Sequence, residues 1–324
     1  MKKGIAAMAA AGEVVTTPRD VECFDLACRS VLNKCSSDRM PFDFTINPYR
    51  GCELSCAYCY ARYTHEFLDL SPGKDFERRI YAKRGAARVL AKELLSHDRA
   101  RSIAIGTATD PYQPLERKLG LTRSILSVFA EASGLRLHVT TKSDLILRDL
   151  DVLERVARRN ALDVSLTVTT LDSALARTLE PRAPTPEKRL GAVRALAEAG
   201  ILVRVLVAPI LPWITDARAS LLAVLGAARM AGARGAYGQV LFLPDATRPS
   251  FFQWLGTAHP ELVPRYRRIL GRSNYVAPGV SRPIMDRFHA LRRECWPDKA
   301  WEEEPAPPAA TAGQLGLFGG LDPC

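Results

Sequence analysis

At 324 residues, 47% hydrophobic and 25% charged, the chain has the composition of an ordinary globular protein. No uninterrupted apolar run approaches the roughly 20 residues that span a bilayer, which excludes a helical membrane protein. Net charge is +10, from 45 basic and 35 acidic residues. The last 23 residues hold four acids and no bases, so the body carries +14. That balance suits a polyanionic partner such as DNA, because Lys and Arg gain affinity by releasing phosphate counterions. A generically solvated, arginine-rich surface would carry the same charge.

Residues 1–40 read as an irregular leader. Met1-Lys2-Lys3 and the following alanine-rich stretch mimic a signal peptide only faintly, having no long leucine-rich centre. Cys23, Cys28 and Cys35 fall in this leader and read as ordinary half-buried thiols, with no role assigned. Beyond it, short β-branched runs alternate with amphipathic stretches. Strands are predicted at 42–46, 103–106, 135–140, 163–168, 202–207 and 237–243, and helices at 76–96, 122–131, 150–159, 186–199 and 216–230. Thr122 and Pro186-Glu187 suit helix starts; Gly134 and Gly200 suit helix stops. Strands alternating with helices imply right-handed crossovers and a parallel α/β sheet, either a partial (β/α)6 barrel or an open doubly wound sheet. Residues 251–300 read as a helical cap.

Asn47-Pro48-Tyr49-Arg50-Gly51-Cys52-Glu53-Leu54-Ser55-Cys56-Ala57-Tyr58-Cys59 carries the spacing C-x3-C-x2-C, and no further cysteine follows until Cys295. Four-iron clusters usually take four thiolates. A site offering three leaves one iron open, as catalytic metal sites keep one position open. The alternative is structural zinc with Cys35 or His65 as a fourth ligand, although zinc knots usually pair C-x2-C units and only one occurs here.

With Tyr58 at the aromatic position, the motif resembles that of the radical S-adenosylmethionine (SAM) superfamily, C-x3-C-x-aromatic-C. The runs NPYRGC, YCYAR, THEF, TDPYQPLE, LTRS, TKSDLILRD, TTLD, EPRAPTP and VAPILP, over roughly 41–250, resemble the radical SAM proteins related to spore photoproduct lyase. The resemblance implies a partial (β/α)6 TIM-type barrel, with Cys52, Cys56 and Cys59 on a 4Fe-4S cluster. It further implies SAM as cofactor, a reductant such as flavodoxin or ferredoxin, and a cytoplasmic location, which free thiols also fit. Tyr58, Thr107, Asp110, Lys142, Ser165 and Ala208 would line the cofactors. Lys142 offers a cation for a carboxylate, and 207–212 an apolar shelf for adenine; Glu180 and Arg182 form an expected charged pair on a stiff segment. The lyase's hydrogen-donating cysteine near the second strand is missing here, where Thr107-Ala108-Thr109-Asp110 stands. Tyr112 is either a substitute donor or an interior structural tyrosine.

From 301 the composition turns acidic and proline-rich, as a disordered linker would. At its end Gln314, Leu315, Leu317 and Phe318 resemble the bacterial sliding-clamp-binding motif Q-L-x-L-F, borne by replication and repair proteins. A chance pentamer or a tail folding back on the body are the alternatives. The expected activity is therefore radical SAM chemistry on nucleic acid, in a repair-like role tethered to a clamp. The alternatives are a small-molecule or peptide substrate for the same chemistry, and a zinc-stabilised, non-enzymatic DNA-binding module.

Overall fold

A computed structural model describes residues 4–16, 20–35, 41–98 and 100–299. All six predicted strands are present: β1 (Phe44–Ile46), β2 (Ser102–Ile105), β3 (Arg136–Thr141), β4 (Ala161–Thr167), β5 (Leu202–Ile210) and β6 (Gly235–Val240). They pair in chain order, all parallel, and strand Asn33–Lys34 adds antiparallel to β1. The crossovers are helical: α1 (Ala86–Glu93), α2 (Leu121–Glu131), α3 (Leu150–Arg159), α4 (Pro186–Glu198) and α5 (Arg218–Met230). Among the described residues no pairing closes the sheet into a full barrel.

Alternation assigns the two faces of the sheet. Val139, Val164, Val203, Val205 and Val207 are buried in the main core, which the helices share. The register aligns Thr140 with Ser165 and Ser165 with Arg204 on the other face. Lys142, two residues beyond Thr140, and Ala208, four beyond Arg204, share that face. Its lower part carries charge: Arg204 pairs with Asp163, and His138 Nδ1 lies 3.7 Å from the same carboxylate. Arg204 also stands over the Tyr237 ring at 5.6 Å. After β6, helix α6 (Pro278–Cys295) packs back on α5 and β6, and Phe288 fills the space a Cβ at Gly238 would take. Trp296 anchors its end, Nε1 donating to the Ala233 carbonyl at 3.0 Å.

Three expectations fail. Within 1–40 stand helix Ile5–Ala10 and strands Val14–Thr16 and Glu22–Asp25. The latter pairs in parallel with Arg79–Ala82, which also pairs antiparallel with Tyr49–Arg50. This small sheet buries Cys23, Tyr49 and Ile80 on one side and Phe24, Leu26 and Tyr81 on the other. The predicted helix 76–96 is likewise split into helix Lys74–Arg78, strand Arg79–Ala82 and α1. Nor does Thr122 cap α2, which starts at Leu121; its hydroxyl instead donates to the Pro111 carbonyl. The helix starting at Pro186 does carry a cap, Thr185 Oγ1 accepting from the Lys188 amide. Among the described residues no helix is long and apolar enough to cross a membrane.

Candidate active site

The cysteine loop follows β1 and leads out of the small sheet. Gly51 turns the chain at φ +83°, and a Cβ there would stand 2.8 Å from the Phe76 carbonyl oxygen and 3.0 Å from His65 Cε1. Only glycine combines that backbone with that contact. Cys52 and Cys56 are buried and Cys59 half-buried. Burial pushes all three thiols up; Asp110, Cys59 and Cys56 add to the rise at Cys52, and Glu180 and Cys59 to that at Cys56. Lys142 opposes that shift at Cys56 and Cys59, and Arg62 opposes it at Cys59.

Three converging thiols that burial holds protonated fit a metal centre, since a bound cation supplies the charge that ionises them. Among the described residues no three His, Cys, Asp or Glu side chains form a group able to hold a single metal ion. Of the two fourth ligands considered for zinc, His65 is poorly disposed. His65 is fully buried, with Nε2 on the Arg79 carbonyl at 3.0 Å, and burial lowers its pKa to about 4. The Cys35 thiol lies close enough to Tyr60 to act on its phenol. The three thiols of the loop are the candidate donors for a metal centre.

The loop after β2 clamps this cage. Thr109 Oγ1 donates to the Gly51 carbonyl at 2.6 Å, Gln113 accepts from the Glu53 amide at 3.0 Å, and Glu53 accepts from the Leu115 amide at 2.7 Å. Gly106 opens the loop at φ +88°, where a Cβ would lie 2.5 Å from the Thr140 carbonyl oxygen. Asp110 is fully engaged: its carboxylate accepts from Thr141 Oγ1 at 2.6 Å and from the Lys142 and Tyr112 amides. It thereby ties the exits of β2 and β3 together. Thr107 is held through Asn47, whose Nδ2 lies 3.2 Å from its hydroxyl. Tyr112 is an interior tyrosine, buried beside Asp149 and Glu116, which accounts for it as structure.

A network absent from the sequence reading braces the cage from β4 and α4. Tyr58 donates its phenol to Glu180, and Thr169 Oγ1 donates to the same carboxylate oxygen at 3.0 Å. Arg189 lies 2.5 Å from the other oxygen and bonds the Pro184 and Thr167 carbonyls. Burial alone would raise Glu180; Arg189 and Lys142 outweigh it and hold the carboxyl below its usual range. Lys142 lies 5.6 Å from the Tyr58 ring centroid. Burial opposes its charge, but Cys56 and Glu180 outweigh burial and leave its pKa raised. Arg182, the expected partner of Glu180, is exposed on the loop instead. The available signal was a cation inside the apolar stripe of α4, where Arg189, Ala192, Val193 and Leu196 are all buried.

A roof comes from beyond β6. Thr247 Oγ1 donates to the Cys59 carbonyl at 2.8 Å, and Tyr60 donates to the Thr107 carbonyl. Tyr60 lies against Phe242 at 6.2 Å between centroids, and Phe242 against Tyr275 at 4.7 Å. Of the expected cofactor positions, Thr107 follows β2 and Lys142 follows β3, whereas Ser165 stands within β4 and Ala208 within β5. Gln314, Leu315, Leu317 and Phe318 lie outside the described residues.

Comparison with known proteins agrees with this geometry. The chain matches the radical SAM superfamily over residues 46–223. An uncharacterized protein of Mycobacterium tuberculosis is 39% identical over 290 residues, covering 89% of this chain and 84% of that protein. An uncharacterized protein of Methanocaldococcus jannaschii is 32% identical over 179 residues, 53% of this chain and 62% of its own length. Spore photoproduct lyase complexed with dinucleoside spore photoproduct is 12% identical and superposes with a TM-score of 0.61 over 88% of this chain and 86% of its own. At that identity the likeness is one of fold. With its three-cysteine loop at the exit of the first strand of a parallel α/β sheet, this chain is an enzyme that belongs to the radical SAM superfamily.

Proposed function

We propose that Cys52, Cys56 and Cys59 hold a 4Fe-4S cluster with SAM at its open iron, and that the enzyme acts on nucleic acid. The superfamily generally uses that cofactor pair with a reductant. Bound there, the pair supplies reductive cleavage of SAM to a 5′-deoxyadenosyl radical, which abstracts a substrate hydrogen. The chain's own residues do the holding. Lys142, whose charge Glu180 supports against burial, is placed to meet a carboxylate. Thr107, Ser165 and Ala208 are the further candidates to line the cofactor. Asp110 fixes the start of the Lys142 loop through Thr141 and the Lys142 and Tyr112 amides, and Thr247 and Tyr60 bridge over the cysteine loop.

The observation that carries the nucleic-acid reading is the chemistry around the mouth. Residues 248–293 contain nine arginines against two acids, Glu261 and Asp286; of the nine, Arg292 is buried and Arg248 and Arg287 face Asp245 and Asp216. Arg268 and Tyr275 border a cavity of about 420 Å³ beside the Phe242–Tyr275 pair that leads to Tyr60. Exposed cations next to aromatic faces suit a phosphate backbone and unstacked bases. The fold likeness to a lyase complexed with a dinucleoside supports this reading. The test is anaerobic SAM cleavage with and without damaged duplex DNA. DNA is expected to accelerate 5′-deoxyadenosine formation; a rate indifferent to any DNA would favour a small-molecule or peptide substrate.

The terminal Gln314-Leu315-Gly316-Leu317-Phe318 run supports docking to a sliding clamp, which would raise the enzyme's local concentration on DNA. Replacing Leu317 and Phe318 with Ala is expected to eliminate clamp binding in a pull-down. Equal retention of both forms would remove this partner.

A further inference from the structure

Beside the cysteine loop, outside the cofactor cage, two cations share one face of the small sheet with no acid among the described residues bonded to them. Arg50 is the register partner of Tyr81, and the Lys83 amide bonds the Pro48 carbonyl, so Arg50, Tyr81 and Lys83 project to the same side. Lys83 is only 6% exposed. Arg50 Nε is buried without a hydrogen-bond partner. The two groups feel each other's charge, and burial together with Arg50 lowers Lys83 to about 8.

The other groups around them do not neutralise the pair. Glu93 is the nearby acid; its charge favours the Lys83 cation from a distance, while its oxygens are bonded to the Val31 and Leu32 amides and to neither cation. The Cys28 thiol beside Lys83 is raised by burial and stays uncharged. His65, on the far side of Arg50, is neutral near physiological pH. Buried charges are ordinarily paired, because an unpaired one loses its hydration without return. Arg50 is half-buried and keeps part of its hydration, and an anion shared by the two cations would return what burial takes from Lys83.

We propose that Arg50 and Lys83 form a phosphate-binding subsite that takes a phosphodiester of the substrate strand whose reacting nucleotide enters at Tyr60. A guanidinium fork and an ammonium together match a phosphate's several oxygens. Position supplies the second argument. Arg50 neighbours the exposed Tyr63, and Tyr63 neighbours Tyr60, so the cations continue the aromatic rim outward from the cage. The identity of the phosphate's carrier rests on the nucleic-acid reading above; the anion site itself does not.

The experiment uses the full, anaerobically reconstituted chain, its Lys83→Met and Arg50→Gln variants, and two probes: inorganic phosphate and a short single-stranded oligodeoxynucleotide. Phosphate is expected to raise the wild-type Tm over chloride at equal ionic strength, increasingly with concentration. Lys83→Met is expected to raise the Tm in chloride by removing the unpaired charge, and both variants to lose the phosphate response. Oligonucleotide affinity is expected to fall about tenfold in either variant, the size of one lost charge-assisted hydrogen bond. Its salt slope is expected to fall by about one. A phosphate response absent from the wild type, or equal in all three proteins, overturns the site. A response lost in the variants, with an oligonucleotide that neither binds nor speeds SAM cleavage, supports the site and overturns a polynucleotide as carrier. Equal oligonucleotide binding by all three leaves the nucleic-acid reading standing and overturns the subsite.

Discussion

Replacing Cys56 with Ala is expected to reduce 5′-deoxyadenosine formation under reducing, anaerobic conditions to background while leaving a folded, soluble protein. Cys56 is buried and feels the charges of Lys142 and Glu180. Losing one sulfur from the core costs little packing, whereas losing one of three ligands removes most of the cage's hold on a cluster. The measurement is product formation per chain by chromatography, with iron and sulfide content and the far-ultraviolet circular dichroism of the same samples. Iron loading is expected to fall with activity and the fold signal to stay. Undiminished product from the variant would count decisively against the three-thiolate cage.

The second large effect is expected at Arg189. Arg189→Met would leave Glu180 buried without its closest cation, with two carbonyls, of Pro184 and Thr167, losing their donor. Breaking one half of a buried pair typically costs about 3–5 kcal/mol. Denaturant unfolding of the unloaded protein reads this directly. The double variant Arg189→Met with Glu180→Gln is expected to recover part of the loss, since the uncompensated charge is then gone. The acid dependence follows from the shift. In the wild type the Glu180 carboxyl is held below its ordinary value, near 4.3 when unfolded, by Arg189 and Lys142 against burial. Its contribution is therefore fully present above about pH 4.3 and lost as pH falls through the lower, folded value. Without Arg189 burial has less opposition, so acid protonation of the carboxyl should begin at a higher pH. Identical unfolding curves for wild type and Arg189→Met would show that the network does not brace the cage.

The legible and illegible parts of the chain differ in how local their causes are. Leu150–Arg159 was found with the right bounds, and all six parallel strands were found within a few residues, because period and composition are written into each segment. The strand Arg79–Ala82 was hidden between two helical patterns; its identity comes from Glu22–Asp25 and Tyr49–Arg50, far away in sequence. The same pairing orders the leader. In the site, the cysteine spacing announced the cage, and Lys142 fell where expected, at the exit of β3. Glu180 was singled out with the wrong partner. Arg182 is near in sequence, but the chain of α4 brings Arg189 inward instead, and Tyr58 then reaches the carboxylate from the cysteine loop. Such contacts arise only when two strand exits meet. The unpaired Arg50 and Lys83 belong to the same class, since sheet pairing alone sets them side by side.

The most direct measurement on the cage is electron paramagnetic resonance of the anaerobically reconstituted, reduced protein, with iron and sulfide counted on the same sample and spectra taken before and after adding SAM. Three thiolates and an open iron should give a brown protein with about four irons per chain and a reduced-cluster spectrum that changes when SAM binds. A metal centre fully ligated by protein, colourless or unresponsive to SAM, would contradict it.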